Sequence, residues 1–157
     1  LLGQCTSPDD IYLAMRGLRT LGVRLAQHQK NALEVAQWLA ERDEVDHVRH
    51  PALASCPGHE FFQRDFQGSS GLFSFVMKGG NQQALTALLD GMQHFKMGFS
   101  WGGFERLTMG VNGVDKLRTA TQWQAEGTLI RVHIGLEDPA DLIEDLAAGI
   151  ARFSQQL

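Results

Sequence analysis

The segment Leu129-Ile130-Arg131-Val132-His133-Ile134-Gly135 constrains this chain more than any other. Its residues favour a strand, and strand alternation sends Ile130, Val132 and Ile134 to one face and Leu129, Arg131 and His133 to the other. The first set reads as core. The second places a permanent cation and an imidazole where a buried strand would hold hydrocarbon. A desolvated guanidinium needs an anionic partner, and its fork of donors matches a carboxylate or phosphate in two-pronged fashion. The strand is therefore a candidate anion reader. The alternative is a surface arginine on the open face of a half-solvated sheet.

The elements around that strand set the architecture. Ser7-Pro8-Asp9-Asp10 is a helix start, with a hydroxyl for the cap, proline at the first helical position and acids at the positive dipole end. Apolar residues recur at helical spacing from Ile11 through Leu39, a long span interrupted by Gly17 and Gly22. It either bridges two domains or breaks in two near Gly22. A short strand follows at Val45–Arg49, then a helix opened by Pro57-Gly58-His59-Glu60 and running through Phe66. Gly68-Ser69-Ser70-Gly71 is a turn into a second strand, Leu72–Met77, and Asn81 caps a helix to about Asp90. A weaker strand covers His94–Met97, residues 107–126 are ambiguous, and Asp138-Pro139 opens a last amphipathic helix to about Phe153. The expected fold is α+β: a small, mostly antiparallel sheet of three or four strands with helices on one face. Residues 1–42 form the long helix or helix pair, and 43–157 the α+β domain.

Composition excludes several functions. The 157 residues carry 14 basic and 18 acidic side chains, a net charge of −4 with the signs interspersed, which gives no nucleic-acid footprint. No apolar run approaches a membrane span, and no leader pattern opens the chain. Cys5 and Cys56 lie in no metal or redox spacing, which suits a reducing, cytoplasmic compartment. His47 and His50, three apart, straddle a strand end, and no metal site is expected. Phe99-Ser100-Trp101-Gly102-Gly103-Phe104-Glu105 is the second unusual stretch. Its glycines allow close backbone approach, Ser100 adds a hydroxyl and Trp101 a flat wall. Main-chain N–H groups beside Ser100 and the fork of Arg131 are candidates to grip one carboxylate between them; a plain turn or bulge is the alternative.

Several segments in order carry a family resemblance: Arg16 to Arg24, His50-Pro51-Ala52-Leu53, Gly58-His59-Glu60-Phe61 with Arg64-Asp65-Phe66, Gly68 to Phe75, Ser100 to Glu105 and Gly127 to Asp138. Together they make the chain similar to the C-terminal part of the cystathionine β-lyase group in the pyridoxal-phosphate-dependent Cys/Met metabolism family, with its aspartate-aminotransferase-like fold. The resemblance implies a carbon–sulfur lyase of methionine biosynthesis that converts cystathionine to homocysteine, pyruvate and ammonia. The cofactor, pyridoxal 5′-phosphate, would be the electron sink, and the protein would supply orientation and proton transfer. It implies that Arg131 binds the substrate α-carboxylate with Ser100 and Trp101 at the same site, and that Phe99 lies at the substrate entrance. It also implies a homo-oligomeric, tetrameric parent. The family's aldimine lysine sits in a Ser-x-Thr-Lys type motif, and Lys30, Lys78, Lys96 and Lys116 all lack that context. The first residue is not Met. The expectation is a C-terminal portion of a longer enzyme, without catalysis of its own and joined through residues 1–42 to a preceding domain. A free-standing α+β module that binds an amino-acid-like ligand or a partner protein is the competing expectation.

Overall fold

In the computed structural model, residues 5–99, 101–113, 116, 120, 122–123 and 127–157 are described. Helix α1 spans Pro8–Arg19 and α2 spans Leu21–Ala40. The Ser7 hydroxyl accepts from the Asp10 N–H at 3.1 Å, the cap its sequence called for. The apolar run divides at Thr20, two residues before Gly22. Thr20 leaves helical geometry (φ −109°, ψ 5°), and the Arg24 guanidinium reaches back at 2.6 Å to the Gly17 carbonyl, which also accepts from the Thr20 N–H at 3.3 Å. The two helices differ in partner. No residue of α1 is buried, whereas His28, Asn31, Ala32, Val35, Ala36 and Leu39 form a buried stripe along α2 at helical spacing.

Five strands make one mixed sheet: β1 (Val45–Arg49), β2 (Leu72–Lys78), β3 (Lys96–Met97), β4 (Leu107–Gly110) and β5 (Gly127–His133). Their order is β1-β2-β5-β4-β3, antiparallel except for the short β3–β4 pair. Helices α3 (His59–Asp65), α4 (Gln82–Asp90) and α5 (Pro139–Ser154) complete the α+β fold. Phe73, Phe75, Ile130 and Val132 share a face of the sheet and pack on α2, α4 and α5 through Ala36, Leu39, Leu85, Leu88, Leu142, Leu146 and Phe153. Apolar area removed from water on this face is the main stabilising term of the fold.

Five strands replace the expected three or four, for two reasons. β4 lies in the stretch whose glycines obscured any pattern, and it is recruited by pairing with β5. The strand expected over His94–Met97 shrinks to two residues. The carboxylate of Asp145, 5% exposed on α5, accepts from the N–H groups of Gln93, His94 and Phe95 at 2.8, 2.7 and 2.9 Å. Amides bound to a carboxylate cannot join a ladder. Among the described residues, no helix is long and apolar enough to cross a membrane, and both cysteines are free.

Candidate functional site

The second face of the sheet has a different chemistry. Register places Arg49, Ser74, Arg131 and Met109 in one row across β1, β2, β5 and β4. Leu72, His133 and Leu107 form the next row. Arg131 thus lies opposite the hydrocarbon face, as alternation requires. It is half-buried, and its Nη2 donates to the Met109 sulfur at 2.9 Å. Sulfur is a weak acceptor, so this contact is a soft one. The space bordered by Arg131, Leu72, Gly98, Leu107, Met109 and His133 is too tight to admit a water molecule. Arg49, in the same row, stacks its guanidinium on Trp123 at 5.0 Å.

The strip from Trp101 to Arg106 runs beside the C-terminal end of β5 and is tied there at three points. His133 Nε2 lies 3.2 Å from the Gly103 carbonyl, Leu136 N–H donates to the Phe104 carbonyl at 2.9 Å, and Arg106 N–H donates to Glu137 at 3.2 Å. The Arg106 guanidinium also pairs with Glu137 at 3.0 Å and donates to the His94 carbonyl at 2.6 Å. Two glycines let the chains come this close. A Cβ on Gly135 would stand 1.9 Å from the Glu137 carboxylate, and one on Gly102 would stand 2.6 Å from the His133 ring.

Behind the strip, α2 reaches the same turn. His28 Nδ1 lies 2.8 Å from the Ile134 carbonyl, and the Asn31 amide donates to the carbonyls of Gly135 and Glu137 at 3.1 and 3.0 Å. The rings of His28 and His133 are 5.3 Å apart, and both are buried. Burial pushes the pKa of His133 below the ordinary histidine range. The adjacent His28 adds to that, and the Gly103 carbonyl and Glu137 oppose it.

The residues singled out in the sequence are only partly assembled. Trp101 is 68% exposed and lines a cleft of about 450 Å³ with Lys96, Glu105 and Arg106. Phe99 is 90% exposed and lines a separate space with Met97, Met109 and Asn112. Ser100 lies outside the described residues. Arg131 borders neither cleft, although Leu107 and Met109, which border the space around it, line the Trp101 and Phe99 clefts respectively. Sequence reasoning missed the His28–His133 pair and the Glu137–Arg106 pin. Alternation did put His133 on the face of Arg131, but nothing local announced a second imidazole from α2.

Lys30, Lys78, Lys96 and Lys116 are all exposed. Lys78 is held on the Asp43 carbonyl at 2.6 Å and Lys96 on the Gln93 carbonyl at 3.3 Å. Among the described residues, no three His, Cys, Asp or Glu side chains stand together as metal ligands.

Comparison with known proteins is consistent along the whole chain. The model of one family, described as Cys/Met metabolism PLP-dependent enzyme, matches residues 1–151. The chain is 52% identical to cystathionine beta-lyase MetC of Escherichia coli (strain K12) over 155 residues, covering 97% of this chain and 39% of that protein. It is 51% identical to cystathionine beta-lyase of Salmonella typhimurium, again with 97% and 39% coverage. Among solved structures, cystathionine gamma synthase from Xanthomonas oryzae pv. oryzae, in complex with aminoacrylate and cysteine, superposes with a TM-score of 0.83 at 37% identity. That match covers 99% of this chain and 41% of the other. The chain thus spans about two fifths of the length of these relatives.

Proposed function

The chain belongs to the Cys/Met metabolism PLP-dependent enzyme family, and from that premise we propose that it is the C-terminal, substrate-carboxylate-binding portion of a cystathionine β-lyase-like enzyme. The parent enzyme cleaves the carbon–sulfur bond of cystathionine to give homocysteine, pyruvate and ammonia in methionine biosynthesis. It works in the cytoplasm as a homo-oligomer, a tetramer in this reading, with pyridoxal 5′-phosphate as cofactor. Residues 1–42 link this portion to the domain before it.

Arg131 receives the α-carboxylate. Its planar fork matches two carboxylate oxygens, and the hydrocarbon around it, Leu72, Leu107 and the Met109 side chain, strengthens the charge-assisted pair by excluding water. Ser100 and Trp101 complete the carboxylate site, and Phe99 stands at the substrate entrance. The space at Arg131 is closed in this structure, so the carboxylate pair requires side chains that line it to give way.

The residues present do not fit covalent attachment of the cofactor. All four lysines among the described residues are exposed, and two are held on the main-chain carbonyls of Asp43 and Gln93. Catalysis by this chain alone is therefore not expected. The observation that supports the reading most is the half-buried arginine on the non-core face of β5, in a chain about half identical to two cystathionine beta-lyases.

Two measurements test it. The 157-residue chain, given pyridoxal phosphate and cystathionine, should release no pyruvate; turnover by the chain alone would overturn the assignment of catalysis to residues outside it. In the full-length enzyme, Arg131→Ala should lower kcat/KM about 100-fold, mainly through KM, as loss of a charge-assisted carboxylate pair requires. An unchanged KM would refute the role of Arg131.

A further inference from the structure

We propose that His133 is a positioning residue: its Nε2–H holds the Gly103 carbonyl and so fixes the Trp101–Arg106 strip beside the Arg131 site. The inference rests on the carboxylate-site reading above and extends it to a residue that does not touch the substrate.

The protonation pattern follows from the partners. A carbonyl oxygen only accepts, so the nitrogen facing it must carry the proton. His133 is therefore protonated at Nε2, toward Gly103, and His28 at Nδ1, toward Ile134. The remaining nitrogen of His133, Nδ1, is buried with no hydrogen-bond partner. A second proton there would need an acceptor that the site does not offer, beside another imidazole at 5.3 Å.

The ring is also held sterically. Gly102 packs so closely on it that a Cβ would stand 2.6 Å from Cδ2. Leu72 and Leu107 flank it across the sheet. The strip it holds leads directly into β4, whose Met109 lies opposite Arg131 and touches its guanidinium. Fixing Gly103 thus fixes both Trp101, two residues before it, and the strand that orients the carboxylate reader.

The titratable and charged groups around His133 are few. His28 faces it from α2, and Glu137 acts on it from the turn after β5, already paired with Arg106 of the strip. Arg131 shares its face of β5 one pair along, and Glu105 of the strip is exposed. None of these stands as an acceptor for a proton on Nδ1. Protonation of His133 therefore loosens the ring from its place, and substrate binding weakens on the acid side.

The test uses the full-length, cofactor-loaded enzyme that carries this chain. His133→Phe keeps the ring volume and removes the N–H; His133→Gln keeps an N–H of similar reach and does not titrate. His133→Phe should raise KM for cystathionine about tenfold or more with kcat nearly unchanged, and His133→Gln should restore it to within about threefold, since small misplacements of a binding group are costly. The parent's KM should stay flat above about pH 6.5 and rise as pH falls below it, and that rise should vanish in His133→Gln. Independently of turnover, nitrogen NMR of labelled histidine should show His133 protonated at Nε2 alone at neutral pH.

A His133→Gln enzyme that keeps the parent's acid-side rise, or a His133→Phe enzyme with the parent's KM, would sink the inference. Should His133→Phe fail to fold, the pH profile of His133→Gln decides. Arg131→Ala separates the two claims. If it raises KM while both His133 variants leave it alone, only the inference fails; if it leaves KM unchanged, the carboxylate reading fails and takes the inference with it.

Discussion

The two faces of the sheet solve opposite problems. On one, Phe75, Ile130 and Val132 are sealed by α2, α4 and α5, and the polar group at its border, Asp145, is fully engaged by three backbone N–H groups. On the other, Arg49, Arg131 and His133 stand in rows with Ser74 and Met109, and beyond them Phe99, Trp101 and Phe104 are exposed. Burial saturates the first face and leaves it nothing to bind. The second keeps cations, imidazoles and aromatic walls that packing alone does not require. In the proposed reading, the difference separates the part of the fold that generates stability from the part kept for recognition.

That division can be broken experimentally. Phe75→Ala, wholly inside the helix-covered core, should cost about 4 kcal/mol in urea unfolding. A loss near 1 kcal/mol would mean that this face is not the main stabilising layer. Asp145→Ala should follow at about 3 kcal/mol, because it strands three amide donors at the base of β3. The Asp145 pKa reflects the same clamp. Burial alone would raise it, but the N–H groups of Gln93, Phe95 and His94 outweigh that and hold it below the ordinary aspartate value. Its stabilisation is therefore complete above the unfolded value of 3.8 and is lost as pH falls through the folded one.

Histidines sharpen the comparison at milder pH. His50, fully buried edge-on to Phe73, accepts from the Ala52 N–H, and burial lowers its pKa; burial lowers that of His133 as well. For each, the folded state resists protonation more than the unfolded state does. Stability should be flat above about pH 6.5 and fall as pH drops below it toward the folded-state values. Urea midpoints measured from neutral pH downward should show that slope, and His50→Gln should reduce it. A slope unaltered by His50→Gln would place the linkage elsewhere.

Arg131→Ala completes the series with the smallest effect on folding, about 1 kcal/mol or less. The same substitution is expected to dominate substrate binding. Should it unfold the protein instead, Arg131 would belong to the structural face and not to the recognition face.

Much of the fold was legible locally. The Ser7, Asn81 and Asp138 caps, the stripe on the last helix and the alternation of β5 each depend on neighbours within a few residues. The face occupied by Arg131 was readable for the same reason, since alternation is a property of one strand. β4 was not, because Leu107-Thr108-Met109-Gly110 has no strong pattern and becomes a strand by pairing with β5. The truncation of β3 depends on Asp145, some fifty residues away on α5.

By itself, then, the sequence determined most of the helices and three of the strands, which side of β5 is hydrocarbon, and the family resemblance carried by its ordered motifs. Tertiary structure decided what those segments do to each other. It brought His28 of α2 against His133 of β5, tied the Gly102-Gly103 strip to the turn at Glu137, and set Trp101 in a cleft apart from Arg131. Local signals come from chain geometry and hydrogen bonding over a few residues. Contacts between residues thirty to a hundred positions apart exist only after the sheet has closed, and no local pattern encodes them.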